Sequence, residues 1–470
     1  MTPADLLPGD ARVHLIGVGG AGMSALAHIL LERGHPVSGS DLRGGRACAA
    51  LTAMGGAIAI GHEGRNVEGA DVVVVSNAVP TDNPEVVRAG ELTLPVLRRV
   101  ELLEALMRGH RRLLVSGTHG KTTTTAMTTV CLQAAGLDPS FAIGGTLSEA
   151  GTSAHHGTGE VFVAEADEAY GSFAWLTPDA AVVTNVELDH HDHYADVDQV
   201  RRAFVAFLDR RPARPDGQRS GPAILCRDDA GAETLIDVVA RPVSTYGEHA
   251  DADLRITELR LAADGSRYRL IDRGEDLGEF RLRLPGRHNV ANATAAAAAA
   301  RWAGASSDAI RAALGRFAGA QRRFQRLGTV AGVTVVDDYG HHPTELTATL
   351  AAARQTAPAG RVVAVFQPHR YSRTAALGPE LGRSLAGADA AVVTDVYAAG
   401  EDPVPGVTGT IVADAARAAG VPTHFVAAGG DLVEVVAGIV AEGDLVVTLG
   451  AGDITELGPV LLRRLENRRG

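Results

Sequence analysis

The stretch Leu113-Leu114-Val115-Ser116-Gly117-Thr118-His119-Gly120-Lys121-Thr122-Thr123-Thr124-Thr125 runs from a short apolar run through a glycine loop into a helical pattern that stops at Gly136. A strand, a glycine loop and a helix in that order make a cradle for phosphate. The loop N–H groups converge, and the helix N-terminus adds its positive end. Gly117, Thr118, His119 and Gly120 supply the loop. Lys121 is placed to hold β- and γ-phosphates, and the Thr122 hydroxyl to ligate Mg²⁺. The standard G-x-x-x-x-G-K-[ST] loop would have Gly at position 115, where this chain has Val, so the loop is a shorter version. The run Thr122–Thr125 is built from poor helix formers, which suggests that hydroxyls are wanted there. Lys121 is also the only lysine among 44 basic residues. An incidental lysine in a tight turn is the plain alternative, and it leaves that placement unexplained.

Upstream, Val13–Ile16 reads as a strand, Gly17-x-Gly19-x-x-Gly22 as a turn and Ala21–Arg33 as a helix. Asp41 ends the next strand, Pro36–Ser40. This fits the dinucleotide fingerprint, including an acid about 20 residues on. Taken alone it implies NAD and an oxidoreductase, although any anionic diphosphate suits such a turn. Downstream, Val161–Ala164 and Ala180–Thr184 read as buried parallel strands. The period-2 pattern of Leu254–Leu284 reads as an antiparallel insertion, and Val290–Ala303 as an alanine-rich helix. A third segment follows, with strands at Val333–Val336, Val362–Phe366, Ala391–Thr394 and Leu445–Leu449. Boundaries in Arg108–Arg112 and near Gly319 give three domains, 1–110, 111–319 and 320–470, each a doubly wound α/β unit.

At 470 residues the chain is too long for one core, and 46% hydrophobic with 21% charged residues is ordinary for a globular protein. A net charge of −12 argues against nucleic acid as a partner but not against a small anion in a locally positive pocket. Cys48, Cys131 and Cys226 are widely spaced and read as free thiols of a reducing compartment. No secretory signal and no stretch of membrane-spanning length is visible, so a cytoplasmic location without a membrane partner is expected.

Polar motifs sit where strands end. Glu165-Ala166-Asp167-Glu168 and Asn185–His193 offer carboxylates suited to Mg²⁺, with a zinc site at the histidine cluster as the alternative. For Asp192 and His193 a solvated acidic loop is preferred. Asn289 and Asn292 have amides that suit an adenine edge, but Asn before a helix is also an ordinary N-cap. Arg323 lies at the second boundary, within reach of a triphosphate. Asp337–Pro343 and Gln367–Arg373 follow two strands of the third segment. There Arg370 and Arg373, three apart, are expected to face one way and clamp a carboxylate.

Together these motifs resemble the Mur ligase family over nearly the whole chain. The match runs through GVGGAGMSALA, SNAVPTDNPE (Ser76–Glu85), RRVELLEALMR (Arg98–Arg108), SGTHGKTTTT and GRHNVANA (Gly286–Ala293), then DDYGHHPTE (Asp337–Glu345) and QPHRYSRT (Gln367–Thr374). The last two favour the members that join L-alanine to UDP-N-acetylmuramic acid over siblings that add later amino acids, folylpolyglutamate synthases, and the closer ligase that recycles murein tripeptide. The resemblance implies a Rossmann-like N-terminal domain, a central P-loop ATPase-like domain with a mainly parallel sheet, and a Rossmann-like C-terminal domain. It implies ATP and Mg²⁺ as cofactors and an acyl-phosphate intermediate, in a monomer or homodimer.

Residue by residue, the resemblance gives Gly17, Gly19, Gly20, Gly22, Asp41 and Ser76 to the UDP-sugar, whose diphosphate takes the place of NAD. Lys121, Thr122 and Thr123 go to ATP, and Thr122, Glu165 and His190 to the metal. Asn289 and Asn292 go to adenine, Arg323 to phosphates and Asp338 to ribose. Tyr339, His341, Arg370 and Arg373 go to the alanine pocket. Lys121, Glu165, His190 and His341 are the implied catalytic groups, with His190 and His341 both open as the amine's proton acceptor. Two departures stand out. The family's EADESD is here Glu165-Ala166-Asp167-Glu168-Ala169-Tyr170, which puts roles beyond Asp167 in doubt. The carbamoylated lysine of several siblings has no counterpart, because Lys121 is the only lysine. An NAD oxidoreductase and a non-catalytic nucleotide-binding regulator are the rival readings.

Overall fold

The computed structural model describes residues 7, 9–146, 151–190, 193–212 and 221–467. They form two compact units. The first comprises Met1–Val186, Val200–Tyr246 and Ala295–Ala313, and the second Glu187–Gln199, Gly247–Thr294 and Leu314–Gly470.

The first unit opens with a five-stranded parallel sheet. Its strands are β1 (Val13–Ile16), β2 (Val37–Asp41), β3 (Ala57–Ile60), β4 (Val72–Val75) and β5 (Val96–Arg98), ordered β3-β2-β1-β4-β5. All four residues of β1 are buried, as a strand covered on both faces requires. The helices are α1 (Ala21–Glu32), α2 (Arg46–Ala53), α3 (Pro84–Glu91) and α4 (Arg99–Leu106). The strand order reverses between β1 and β4, which opens a crevice at their carboxyl ends.

A second sheet follows, built from β6 (Arg111–Ser116), β7 (Ser140–Ala142), β8 (Ala154–His155), β9 (Val161–Glu165), β10 (Ala180–Val183), β11 (Ala223–Cys226) and β12 (Val243–Gly247). These run in the order β12-β11-β10-β6-β9-β7-β8, with β8 antiparallel to β7. β6 begins at Arg111, inside the polar stretch expected to hold a domain boundary. Arg111 pairs with Val161 of β9, and Arg112 is anchored on the Asp179 carboxylate through its backbone N–H, 2.8 Å away. Behind β6 runs α5 (Lys121–Ala134), buried from Thr122 to Leu132, with α6 (Val197–Asp209) and α7 (Ala230–Glu233) later in the chain. Of the loop expected at Arg210–Pro222, residues 213–220 lie outside the described residues.

The second unit contains the antiparallel meander β13 (Leu254–Ala262), β14 (Gly265–Asp272) and β15 (Glu275–Leu282), as the period-2 pattern predicts. Next in the chain come helix α8 (Arg287–Ala303), whose residues up to Thr294 belong to this unit, and α9 (Ser307–Arg316), which lies mostly in the first. The third sheet holds β16 (Gln325–Val330), β17 (Val333–Asp338), β18 (Val362–Phe366), β19 (Ala390–Thr394), β20 (Thr423–Val426) and β21 (Leu445–Leu449), ordered β16-β17-β21-β18-β19-β20. Only β16 is antiparallel to its neighbour. Helices α10 (Pro343–Thr356) and α11 (Tyr371–Ser384) start just beyond β17 and β18. The carboxyl ends of β17, β21 and β18 therefore lie side by side, with three polar loops above them. The result is a three-domain α/β architecture of mostly parallel sheets.

Candidate active site

The glycine loop leaves β6 and enters α5 through Gly120, whose φ of +81° is left-handed. Gly117 has φ +124°, and a Cβ there would lie 2.8 Å from the Thr184 nitrogen. The end of β10 braces the loop: His119 N–H donates to Asn185 Oδ1 at 2.7 Å, and Thr118 N–H to the Asn185 carbonyl at 3.1 Å. Lys121 curls back so that Nζ donates to the Gly117 carbonyl (2.6 Å), the Thr118 carbonyl (3.2 Å) and Glu168 Oε2 (2.8 Å). Burial works against the ammonium's charge, but Glu168, Asp167 and Glu165 outweigh it and hold the amine protonated.

Thr122 Oγ1 donates to Glu165 Oε2 at 3.3 Å, and the other Glu165 oxygen accepts the Gly144 N–H. A hydroxyl and a carboxylate at the phosphate loop form the hard-oxygen donor pair that fits Mg²⁺. The remaining threonines qualify the expectation from Thr122–Thr125. Thr125 Oγ1 donates back to the Lys121 carbonyl at 2.8 Å, and Thr123 is buried with no hydrogen bond among the described residues. Only Thr122 turns its hydroxyl to an acid. Glu168 is the residue that the altered EADE-Ala-Tyr run left in doubt. It is 2% exposed and is the carboxylate nearest Lys121.

In the first sheet, Gly17 lies against Ser76: a Cβ at Gly17 would sit 3.1 Å from the Ser76 Cβ, across the β1/β4 crevice. Asp41 turns into the glycine turn, where Oδ2 accepts the Gly19 N–H at 2.9 Å. Gly20 caps α1, and Gly22 lies in its first turn.

In the second unit, α8 starts at Arg287, ahead of the expected Val290, so that Asn289 lies inside it together with Asn292. Both are buried. Asn289 donates to the Pro285 carbonyl (2.7 Å), and the Asn292 amide reaches Asn289 Oδ1 (3.5 Å). Asp338, 7% exposed at the end of β17, accepts from Phe324 N–H (2.7 Å), Gly340 N–H (2.9 Å) and Thr349 Oγ1 (3.1 Å). Both its oxygens thus hold the protein's own loops. Burial raises its pKa, against the pull of Arg323 and the two amides. The loop it holds is unusual: Arg322 and Phe324 both have left-handed φ, +57° and +47°. Such conformations persist where the surroundings over-determine them. Here they present the Arg322 and Arg323 guanidinium groups to the Tyr339 ring, 4.8 and 5.0 Å from its centroid.

His341 Nδ1 sits 2.9 Å from the Tyr339 carbonyl, which fixes that nitrogen as the protonated one and leaves Nε2 as an acceptor. Burial lowers its pKa to about 4, so the ring is neutral at pH 7. His369, stacked on Tyr397, is lowered to about 3 by burial and by His341, Arg373, Arg370 and Arg322. The expected i,i+3 clamp does not form. Arg370 precedes α11 with φ +71° and has Glu401 3.8 Å from Nη1, whereas Arg373 lies within the helix and pairs with Asp189. The two guanidinium groups thus have different carboxylate partners, Glu401 and Asp189. Asp189 stands in the Asn185–His193 stretch whose carboxylates the sequence offers to Mg²⁺; its pairing with Arg373 is tertiary and leaves no signal in the spacing. His190 has φ +55°, and its N–H donates to Asp189 Oδ1. His193 is exposed, as the solvated reading has it; Asp192 lies outside the described residues.

Three family models match the chain: "Mur ligase family, catalytic domain" at residues 12–111, "Mur ligase middle domain" at 115–300, and "Mur ligase, glutamate ligase domain" at 322–452. The chain belongs to the Mur ligase family. It is 48% identical over 468 residues to the UDP-N-acetylmuramate–L-alanine ligase of Saccharopolyspora erythraea, covering 98% of this chain and 94% of that one. It is 46% identical to the enzyme of that name from Streptomyces coelicolor, over 97% of each. Among solved structures, the UDP-N-acetylmuramate–alanine ligase of Thermotoga maritima superposes with a TM-score of 0.81 at 27% identity, covering 97% of this chain and all of that one. A murein peptide ligase from Psychrobacter arcticus gives 0.73 at 25% identity, over 97% and 99%.

Proposed function

We propose that this chain joins L-alanine to the lactyl carboxylate of UDP-N-acetylmuramic acid, at the expense of ATP, in peptidoglycan precursor synthesis. The observation that carries the reading is Lys121: the only lysine, in a glycine loop, its three N–H bonds held by two loop carbonyls and a buried carboxylate. A nucleoside triphosphate replaces those contacts with β- and γ-oxygens. The relatives at 46–48% identity supply the substrate pair. The proposed domains are 1–110 for the UDP-sugar, 111–319 for ATP and 320–470 for the amino acid. The reaction is placed in the cytoplasm; no helix among the described residues is long and apolar enough to cross a membrane.

A carboxylate is a poor acyl donor because oxide would have to leave. Its oxygen attacks the γ-phosphorus and ADP departs, leaving an acyl phosphate. Lys121 and Arg323 neutralise charge on the moving group. Mg²⁺, held by Thr122 and Glu165 with His190 as the further ligand, would supply the rest of that neutralisation. The free amine of alanine then attacks the acyl carbon, the C–O bond to phosphate breaks, and the departing phosphate takes the amine's proton. His341, neutral and with Nε2 open, serves as a hydrogen-bond acceptor for the incoming amine. Positioning provides most of the rate.

The test is phosphate release with ATP, Mg²⁺ and UDP-N-acetylmuramic acid, with L-alanine compared against other amino acids and against the tripeptide used by recycling ligases. Release that requires L-alanine is expected, together with its loss in Lys121→Ala. Near-normal release by Lys121→Ala would remove the ATP assignment, and a preference for the tripeptide would move the chain to the recycling enzymes.

A further inference from the structure

The ion pair between Asp189 and Arg373 stands apart from the other acid–arginine contacts around the third sheet. Both side chains are 7% exposed, and the contact is threefold: Arg373 Nη2 reaches Oδ1 at 2.8 Å and Oδ2 at 3.0 Å, and Nε reaches Oδ1 at 3.3 Å. That uses the Nε/Nη2 edge of the guanidinium. Nη1 has no partner among the described residues, and it is not one of the nitrogens sealed from solvent. The planar fork of an arginine has donors along two edges, so a carboxylate fixed on one edge fixes the direction of the other.

Asp189 is not a stray contact. The segment Glu187–Gln199 belongs to the same compact unit as the third sheet, and it docks there at a second point. Glu187 Oε2 accepts from Thr344 Oγ1 at 2.7 Å and lies 3.6 Å from His342 Nδ1, both at the start of α10. Two carboxylates two residues apart are thus held by the loops after β17 and β18, and His190 follows the second of them. Arg370, Arg322 and Arg373 all lie close enough to His369 to depress its pKa, and His341 and His369 are held neutral, while Glu401 and Glu345 stand beside Arg370 and His341.

We propose that Asp189 is a positioning residue for amino-acid recognition: it clamps one edge of Arg373 so that the free Nη1 edge receives the carboxylate of the incoming amino acid. This rests on the proposed reading that the loops after β17 and β18 take the amino acid. It replaces the paired Arg370/Arg373 clamp with a clamp of another kind, in which one arginine is oriented by an internal acid. The same contact joins the arginine to the segment that carries His190, so amino-acid binding and the metal-side loop share one rigid support.

The experiment is steady-state phosphate release by the full-length enzyme, with each substrate varied in turn. Asp189→Asn keeps the shape and removes the charge. It should raise the KM for L-alanine by at least about 30-fold, the lower end of the range for truncating one partner of a buried charge pair, with the KM for UDP-N-acetylmuramic acid within about twofold. Asp189→Ala should show the same defect and recover part of it in formate, whose carboxylate can refill the edge of Arg373. Thr344→Val breaks the neighbouring docking contact without touching Arg373 and should leave the alanine KM near the wild-type value. An unchanged alanine KM in Asp189→Asn overturns the proposal, as does an equal loss for all three substrates with no response to formate, which marks a merely structural residue. Should Asp189→Asn fail to fold, Asp189→Glu decides through the same ratio of KM values. Arg373→Ala separates the underlying reading: if it too leaves the alanine KM unchanged, the amino acid binds elsewhere and the reading of these loops falls with it.

Discussion

Gly117→Ala should disable nucleotide turnover without touching any group that contacts phosphate through its side chain. The residue has φ +124°, a region open in practice to glycine alone, and forcing an L-residue there costs about 1–3 kcal/mol. The added methyl would also meet the Thr184 hydroxyl, the Thr184 nitrogen at 2.8 Å and the Asn185 nitrogen at 3.0 Å. Two of these are backbone atoms at the end of β10 and cannot swing aside, so overpacking adds about 1–3 kcal/mol. A strain of about 2–6 kcal/mol exceeds the worth of the bonds that brace the loop, at about 1 kcal/mol each. The loop therefore moves, and the Thr118 and His119 N–H bonds to Asn185 break first. Since Lys121 takes its position from the Gly117 and Thr118 carbonyls, phosphate release should fall at least about 100-fold, equal to about 2.7 kcal/mol. The assay is phosphate release at saturating ATP together with thermal melting of the same sample. Thr184→Ala in the Gly117→Ala background removes the hydroxyl contact but leaves the backbone ones, so recovery should be partial. A Gly117→Ala enzyme with wild-type turnover and melting temperature would refute the account of why this position is glycine.

Thr122→Val should raise the Mg²⁺ concentration needed for half-maximal turnover by about tenfold or more, because its hydroxyl faces Glu165, whereas Thr128→Val should leave that concentration unchanged and lower stability by about 0.5–1.5 kcal/mol, since its hydroxyl only bonds back to the Thr124 carbonyl at 2.8 Å. Mg²⁺ titrations of turnover, read beside urea melts, check both. Acid should destabilise the second unit through its neutral histidines: burial lowers the pKa of His288 and of His341 to about 4, below the ordinary 6.5, so the unfolded chain binds more protons across that interval and stability falls as the pH drops through it. Each contributes at most about 3 kcal/mol. His288→Asn should flatten the decline of the urea midpoint between pH 6.5 and 4; an equally steep decline in the variant contradicts the assignment. Glu85, held at about 2 against burial by His14, Ser40 and Asn66, loses its contribution only below the ordinary 4.5, so the two effects fall in separable windows.

Much of the architecture was legible because parallel strands announce themselves. Val13–Ile16, Ala180–Val183 and Val362–Phe366 are apolar runs bounded by glycine or polar loops, and they are strands in the fold. Shorter or more polar strands were not readable: β8 is a dipeptide, and β12 carries Ser244 and Thr245. In the site, what depended on local spacing was visible and what depended on long-range pairing was not. The loop Gly117–Thr122 could be read in full because its chemistry lies in consecutive residues. The geometry of Arg370 and Arg373 could not, since spacing alone assumes both stand on one helix, and the chain enters that helix with a left-handed residue at 370. The partners of Asp338, amides 14 and 2 residues away and the Thr349 hydroxyl, could not be read beside the ribose role that the resemblance gives it. The altered residues after Glu168 put its role in doubt, and its place beside Lys121 is again a pairing between segments distant in the chain.

The placement of the one lysine has a physical explanation that bias in composition lacks. An ammonium offers three N–H bonds directed tetrahedrally from a single point, and Lys121 Nζ has three partners at 2.6, 3.2 and 2.8 Å: two carbonyls of its own loop and one carboxylate. A guanidinium presents planar, forked donors on a bulkier head, and it cannot converge on two successive carbonyls within the turn that carries it. Elsewhere in the chain, arginine does the work that suits a fork, as in the contact of Arg373 with Asp189 or of Arg361 with both oxygens of Asp444. Arginine serves where a carboxylate edge or a solvated surface is the partner, and lysine where the partner is a ring of loop oxygens sized for a point charge. On the proposed reading, phosphate oxygens take the ammonium from those loop carbonyls, which are neutral acceptors where phosphate is charged. The buried Glu168 favours the charged amine against the pull of burial.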